Sequence, residues 1–268
     1  MTKTILITGA TDGIGYETAK RLVAMGHSVL VHGRNTEKLS AVKSTLDTLS
    51  KGATVKTYQA DLSRFAEVVR LSDELSAEQV LIDVLINNAG VLKTPNPLTE
   101  SGLDVRFVVN TLAPYLLTRR LLTKLPPNGR VVNLSSAAQA SVDVDAMAGH
   151  GRLADMEAYA QSKLALTIWT QEMARELHDG PILVAVNPGS LLASKMVKEG
   201  FGLAGNDLGI GADILALAAL SDDFSNASGQ YFDNDSGRFV PPHLDASNLK
   251  KAAEVYEAVQ TLVKKYSP

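Results

Sequence analysis

A repeated change of hydrophobic period narrows the fold of this chain more than any other feature. Short apolar, β-branched runs at residues 4–8, 28–32, 55–59, 84–87, 130–134 and 183–187 read as buried strands. Between them, residues 16–25, 36–49, 65–75, 105–124, 159–177 and 211–220 place apolar side chains at helical spacing. A β-α-β-α order makes successive strands parallel, joins them by right-handed crossovers and puts helices on both faces. The predicted fold is an α/β, doubly wound parallel sheet. No linker, charge block or internal repeat divides the 268 residues, so 1–268 reads as one domain.

Composition narrows the chemistry. With 26 Lys and Arg against 29 Asp and Glu, the chain lacks the basic excess of a nucleic-acid binder, and a small-molecule partner is expected. Cysteine is absent, which excludes disulfides, thiolate nucleophiles and Cys-ligated metals. The five histidines show no ligand spacing, and no metal site is predicted. The opening MTKTILITGA runs directly into a strand with no leader pattern. No segment reaches the roughly 18 apolar residues that span a bilayer, so a cytoplasmic protein without a membrane span is expected.

Thr8-Gly9-Ala10-Thr11-Asp12-Gly13-Ile14-Gly15 joins the first strand to the first helix, where a Rossmann-type sheet places its phosphate-binding turn. Glycine lets the backbone approach a pyrophosphate, and the helix N-terminus offers free N–H groups and a positive dipole end. A structural turn, or the glycine-rich loop of a methyltransferase, also accommodates the Gly-x3-Gly-x-Gly spacing. The second strand ends His32-Gly33-Arg34-Asn35. An acid there would bind the ribose hydroxyls of NAD and repel a 2′-phosphate. Gly33 takes that place, and Arg34 offers a planar fork of donors to a phosphate, so NADP(H) is the expected cofactor.

Further motifs follow in order: Asp61-Leu62, Asn87-Asn88-Ala89-Gly90, Ser135-Ser136, Tyr159-x3-Lys163 and Asn187-Pro188-Gly189. With the glycine loop, this series resembles the short-chain dehydrogenase/reductase family over nearly the whole chain. The resemblance implies that Gly9, Thr11, Asp12, Gly13, Ile14 and Gly15 surround the pyrophosphate, with Arg34 and Asn35 at the 2′-phosphate end. It implies Asp61 and Leu62 at the adenine, Asn88, Ala89 and Gly90 beside the adenosine ribose, and Pro188 and Gly189 near the nicotinamide. Tyr159 would exchange a proton with the substrate oxygen, and Ser136 would hydrogen-bond that oxygen. Lys163 would hold the nicotinamide ribose, and Asn110 would sit in a helix distortion that keeps a water near Lys163. Tyr159 and Lys163 are four apart on a helical stretch, so both leave one face. A neighbouring ammonium stabilises phenolate and draws its pKa toward working pH.

The 23 positions from Ser136 to Tyr159 exceed the spacing in shorter members of the family. Together with Ser228-Gly229-Gln230-Tyr231-Phe232 and a terminal amphipathic helix at about 248–266, that lengthening resembles the retinol-dehydrogenase-like branch. Residues 137–158 are expected to form a substrate rim and 190–210 a lid. After Pro188-Gly189, Ala193 stands where the family places a Thr, with Ser194 as its candidate substitute. The expected activity is hydride transfer between the nicotinamide and a carbonyl or alcohol carbon of a small, apolar substrate. The alternatives are a non-catalytic dinucleotide sensor or scaffold, which needs only the cofactor loop, and a methyltransferase. A homo-oligomer, for example a dimer through the helices that begin at Val105 and Tyr159, is compatible with such a fold.

Overall fold

Strands of a parallel sheet covered on both faces are apolar at most positions, and here the apolar side chains alternate between two cores. Ile5 and Ile7 of β1 (Thr4–Ile7) point to one face, and Leu6 between them to the other. The structure, a computed structural model, describes residues 1–78, 81–193, 196, 198, 202 and 204–267. Beside β1 lie β2 (Ser28–Gly33), β3 (Val55–Gln59), β4 (Val84–Asn87), β5 (Arg130–Leu134), β6 (Ile182–Asn187) and β7 (Tyr231–Asp233). All seven are parallel, in the order β3-β2-β1-β4-β5-β6-β7, and the two-residue β8 (Arg238–Phe239) closes the edge antiparallel to β7. The order reverses between β1 and β4, so the loops after these strands part and leave a crevice at their carboxyl ends. The residues of β7 and β8 are too few to show a period, and they were not among the expected strands.

One face carries α1 (Gly13–Ala24), α2 (Thr36–Leu49) and α7 (Leu208–Leu220) over Ile5, Ile7, Val29, Val31, Ile86 and Val184. The other carries α3 (Phe65–Ala77), the helix α4 over 105–121, α6 (Asp155–Glu176) and α9 (Leu249–Tyr266). Two further small helices are α5 (Val144–Met147) and α8 (Leu244–Ser247). Asp12, Asn35, Asp104, Asp207 and Asn248 cap α1, α2, α4, α7 and α9 by accepting backbone N–H groups of the first turn. Among the described residues no helix is long and apolar enough to cross a membrane.

The terminal helix α9 covers α4 and α6. Tyr256 meets Tyr115 edge-on at 6.0 Å, Tyr115 meets Trp169 at 5.6 Å, and Tyr266 stacks on Phe65 at 5.6 Å. Every residue of 105–121 is consequently buried except Arg119 and Arg120. A dimer through the Val105 and Tyr159 helices therefore finds no exposed apolar side chain on 105–121, because the chain's own last helix already fills that surface. Part of the expected rim is core as well, since Val142, Ala146 and Met147 are buried.

His32 ties the first three strands together beneath the glycine loop. Its Nδ1 accepts the Gly9 N–H at 3.2 Å, which requires Nε2 to carry the proton it donates to the Ala60 carbonyl at 3.0 Å. Burial lowers its pKa from 6.5 to about 4. The folded state thus binds the proton less readily than the unfolded chain. The stabilisation is complete above pH 6.5 and is lost as pH falls toward 4, by at most about 3 kcal/mol at 1.36 kcal/mol per pKa unit.

Two outcomes are expected. In urea titrations followed by the single tryptophan, Trp169, the stability gap between wild type and His32→Asn narrows as pH drops from 7 to 4.5; a gap independent of pH refutes the assignment. Tyr256→Ala, which empties the contact between α9 and Tyr115, lowers the unfolding free energy by about 3 kcal/mol in the same assay.

Candidate functional site

The loops after β1, β4, β5 and β6 meet at the carboxyl edge of the sheet. Gly9 has φ +65°, and a Cβ there would come within 2.8 Å of the Ala89 Cα, so glycine allows the first loop to touch the loop after β4. Asn88 completes this contact by donating Nδ2 to the Thr8 and Gly9 carbonyls at 2.8 and 3.0 Å. Thr8, which is buried, accepts the N–H groups of Asn88 and Ala89 on its hydroxyl. Thr11, Gly13 and Ile14 line the turn into α1, with Gly15 buried beneath it. Asp12 accepts the Gly13 N–H at 2.8 Å and lies 3.7 Å from the Lys38 ammonium.

At the end of β2 a Cβ on Gly33 would lie 2.5 Å from the Thr11 methyl, so the small residue is also what lets Thr11 pack here. Arg34 is exposed and has no ion-pair partner among the described residues. Asn35 accepts the Lys38 N–H at 2.8 Å, a helix cap in its own right. The Asp61 carboxylate takes the Ser63 N–H and hydroxyl, and Leu62 is buried in the core, which leaves only its backbone for a ligand. Pro188 and Gly189 follow β6. Asp235 holds the next turn by accepting the Ser190 N–H and hydroxyl at 2.8 and 2.6 Å. The ends of the expected lid are laced by Ala193 N–H to Asn206 O and Asn206 N–H to Leu191 O, whereas Ser194 lies outside the described residues.

Lys163 is a cation in the core, 3% exposed, and donates its ammonium to the Leu134 carbonyl at 2.7 Å. Burial lowers its pKa from 10.5 to about 8. Its Nζ lies 5.7 Å from the centre of the Tyr159 ring one helical turn earlier. Burial raises the Tyr159 phenol, and the neighbouring Ser136 hydroxyl offsets part of that rise. The two serines after β5 divide their work. Ser135 is buried and bonds to Thr167 and the Lys163 carbonyl, while Ser136 is half-buried beside Tyr159.

Asn110 lies in a π-helical turn, Val108–Leu112, within α4. Its side chain clasps Val91 from both sides, accepting the N–H at 2.8 Å and donating to the carbonyl at 3.0 Å, and also donates to Ser162 at 2.9 Å. From this helix distortion it fixes the 88–91 loop and α6. A buried amide ladder supports the same helices: Asn87 donates to Asn133 at 2.8 Å and Thr118 at 3.1 Å, and Asn133 to Thr170 at 2.8 Å. Sequence reasoning missed Thr8, His32, Asn133, Tyr231, whose hydroxyl donates to the Ser136 carbonyl at 3.0 Å, and Asp235. Only β-strand ends and turn polarity mark these positions, and neither names a partner.

The family model described as short chain dehydrogenase matches residues 3–202. Human retinol dehydrogenase 13 is 31% identical over 269 residues, covering 93% of this chain and 81% of that protein. The crystal structure of an uncharacterized protein from Mycobacterium paratuberculosis superposes with a TM-score of 0.80 at 29% identity, covering 99% of this chain and 95% of that one. A short chain dehydrogenase from Burkholderia cenocepacia in complex with NADP gives a TM-score of 0.70 at 27% identity, covering 86% and 95%. With a family match over most of its length, an ordered series of loop motifs and a parallel sheet shared with these structures, the chain belongs to the short-chain dehydrogenases, on their retinol-dehydrogenase-like side.

Proposed function

We propose that the protein is an NADP(H)-dependent oxidoreductase acting between an alcohol and the corresponding carbonyl of a small apolar substrate. The observation that carries this reading is the convergence of Tyr159, Ser136 and a buried Lys163 ammonium at the mouth of the crevice. A dinucleotide sensor would need the glycine loop but not this group. The residues present fit the cofactor: the loop 9–15 opens a helix N-terminus to a pyrophosphate, and Arg34 extends an exposed fork for a 2′-phosphate. The complex of the Burkholderia relative with NADP supports the same choice. Asn88, Ala89 and Gly90 would border the adenosine ribose, and Pro188 and Gly189 the nicotinamide.

Bound there, the nicotinamide supplies or accepts the hydride. In the reducing direction Tyr159 gives its phenolic proton to the substrate oxygen as that oxygen gains charge. Ser136 donates to the same oxygen, a preorganised donor that contributes more to the transition state than to the ground state. The Lys163 ammonium stabilises the phenolate left on Tyr159 and favours its formation. Asn110 and Asn133 keep the two helices in register. Alcohol as the substrate class accords with the name of the human relative, a retinol dehydrogenase.

Tyr159→Phe is expected to lower carbonyl reduction by about 100-fold or more with NADPH affinity intact, read by absorbance at saturating cofactor. Loss of binding together with turnover would mean that Tyr159 is structural. Arg34→Ala is expected to weaken NADPH about tenfold or more while leaving NADH unchanged, measured by fluorescence titration. The value kcat/KM for NADPH, which reports groups of the free enzyme, is expected to fall as pH rises through about 8, where Lys163 loses its proton; a flat profile from pH 7 to 9 contradicts that role.

A further inference from the structure

Arg106 is 1% exposed, and its guanidinium is fully engaged. Nε and Nη2 donate to the two Asp104 oxygens at 2.8 and 2.5 Å, and Nη1 donates to Asp155 and, at 3.5 Å, to the Leu92 carbonyl. Asp104 itself caps α4 through the Arg106 N–H, and Asp155 opens α6, where a negative charge suits the helix dipole. One side chain thus joins the three segments that carry the candidate site: the loop just past Gly90, the helix with Asn110, and the helix with Tyr159 and Lys163. Arg106 lies one helical turn before Asn110, and Asp155 one turn before Tyr159, so the pair fixes each helix next to the residue it presents.

We infer that Arg106 and Asp155 form an ionic staple that positions Tyr159 against Ser136, making both positioning residues for the reaction proposed above, on which this inference rests. The geometry argues for more than bulk stability. The large core already holds α4 to α6 through Tyr115 and Trp169, well beyond this pair along both helices. Around 155–159 the helix is half-exposed, with Met156 and Glu157 in solvent and Asp155 46% exposed. Apolar burial is weak there, and a guanidinium locked by its bidentate pair with Asp104 presents Nη1 to Asp155 in a fixed direction and supplies the orientation instead.

Asp155 is the residue to change, because removing Arg106 would strand Asp104 without a partner and threaten folding. Asp155→Ala is expected to lower kcat about tenfold or more, keep the NADPH Kd within twofold and leave the protein folded at the assay temperature. Asp155→Glu, which restores the charge within reach of Nη1, recovers at least half of the rate. In crystals of Asp155→Ala the Tyr159 hydroxyl moves 1 Å or more away from Ser136, a displacement large enough to cost about 100-fold in related chemistry. A lowered melting temperature with unchanged kcat, or a Tyr159 that stays in place, overturns the inference. The crystallographic readout does not need turnover. A wild type that binds NADPH yet reduces no carbonyl would count against the oxidoreductase reading alone, whereas an unmoved Tyr159 would count against the staple alone.

Discussion

Much of this structure follows from keeping a charged amine out of water. Lys163 has lost nearly all of its solvent and, among the described residues, has one carbonyl, that of Leu134, in return. Such a bargain is unfavourable on its own, as the fall of its pKa toward neutrality shows, so the surroundings must hold it in place. They do so with polar groups set into an apolar core: the Asn87–Asn133 pair between adjacent strands, the threonines of α4 and α6 that accept from it, and Ser135 with Thr167 at the Lys163 carbonyl. Most of these groups are satisfied by another member of the set, with the Asn87 Oδ1 left without a partner among the described residues, and a bonded network of this kind adds rigidity to the core.

The same economy explains the π-helical turn. An ordinary α-helix at 108–112 would bond its own carbonyls in sequence, whereas the wider turn lets the Asn110 side chain reach across to Val91. The crevice is then framed by loops that are bonded to one another: Asn88 to the glycine loop, Asn110 to the residue after Gly90, and Asp235 to the turn after β6. A ligand entering such a frame meets groups already oriented, so less of its binding energy goes into ordering the protein.

What the sequence revealed depended on distance along the chain. The spacing of Tyr159 and Lys163, the glycines of 9–15 and the alternation of strand and helix are local patterns, and they were legible because a few consecutive residues determine them. His32 was visible only as a polar residue at the end of a strand, since its partner Ala60 is 28 positions away. Arg106 and Asp155 are 49 apart and belong to different helices, and nothing near either one announces the other. Residues 137–158 read as a rim because they lengthen the interval between Ser136 and Tyr159, but Met147 among them is fully buried, a fact that only the packing of α5 beneath α9 reveals. The face of α4 and α6 could be read as a dimer surface because amphipathicity reports that a face is covered and says nothing about what covers it.

That covering also sets an order of events during synthesis. Tyr115 is made long before Tyr256, and Phe65 longer still before Tyr266, yet each meets its α9 partner only when that helix arrives. A ribosome therefore releases the reaction helix with one flank uncovered and holds it so while β6, α7 and the edge strands are still being made. A helix translated after all of these elements closes the larger core, which makes the newborn chain more exposed to chaperones and to misassociation than the folded protein.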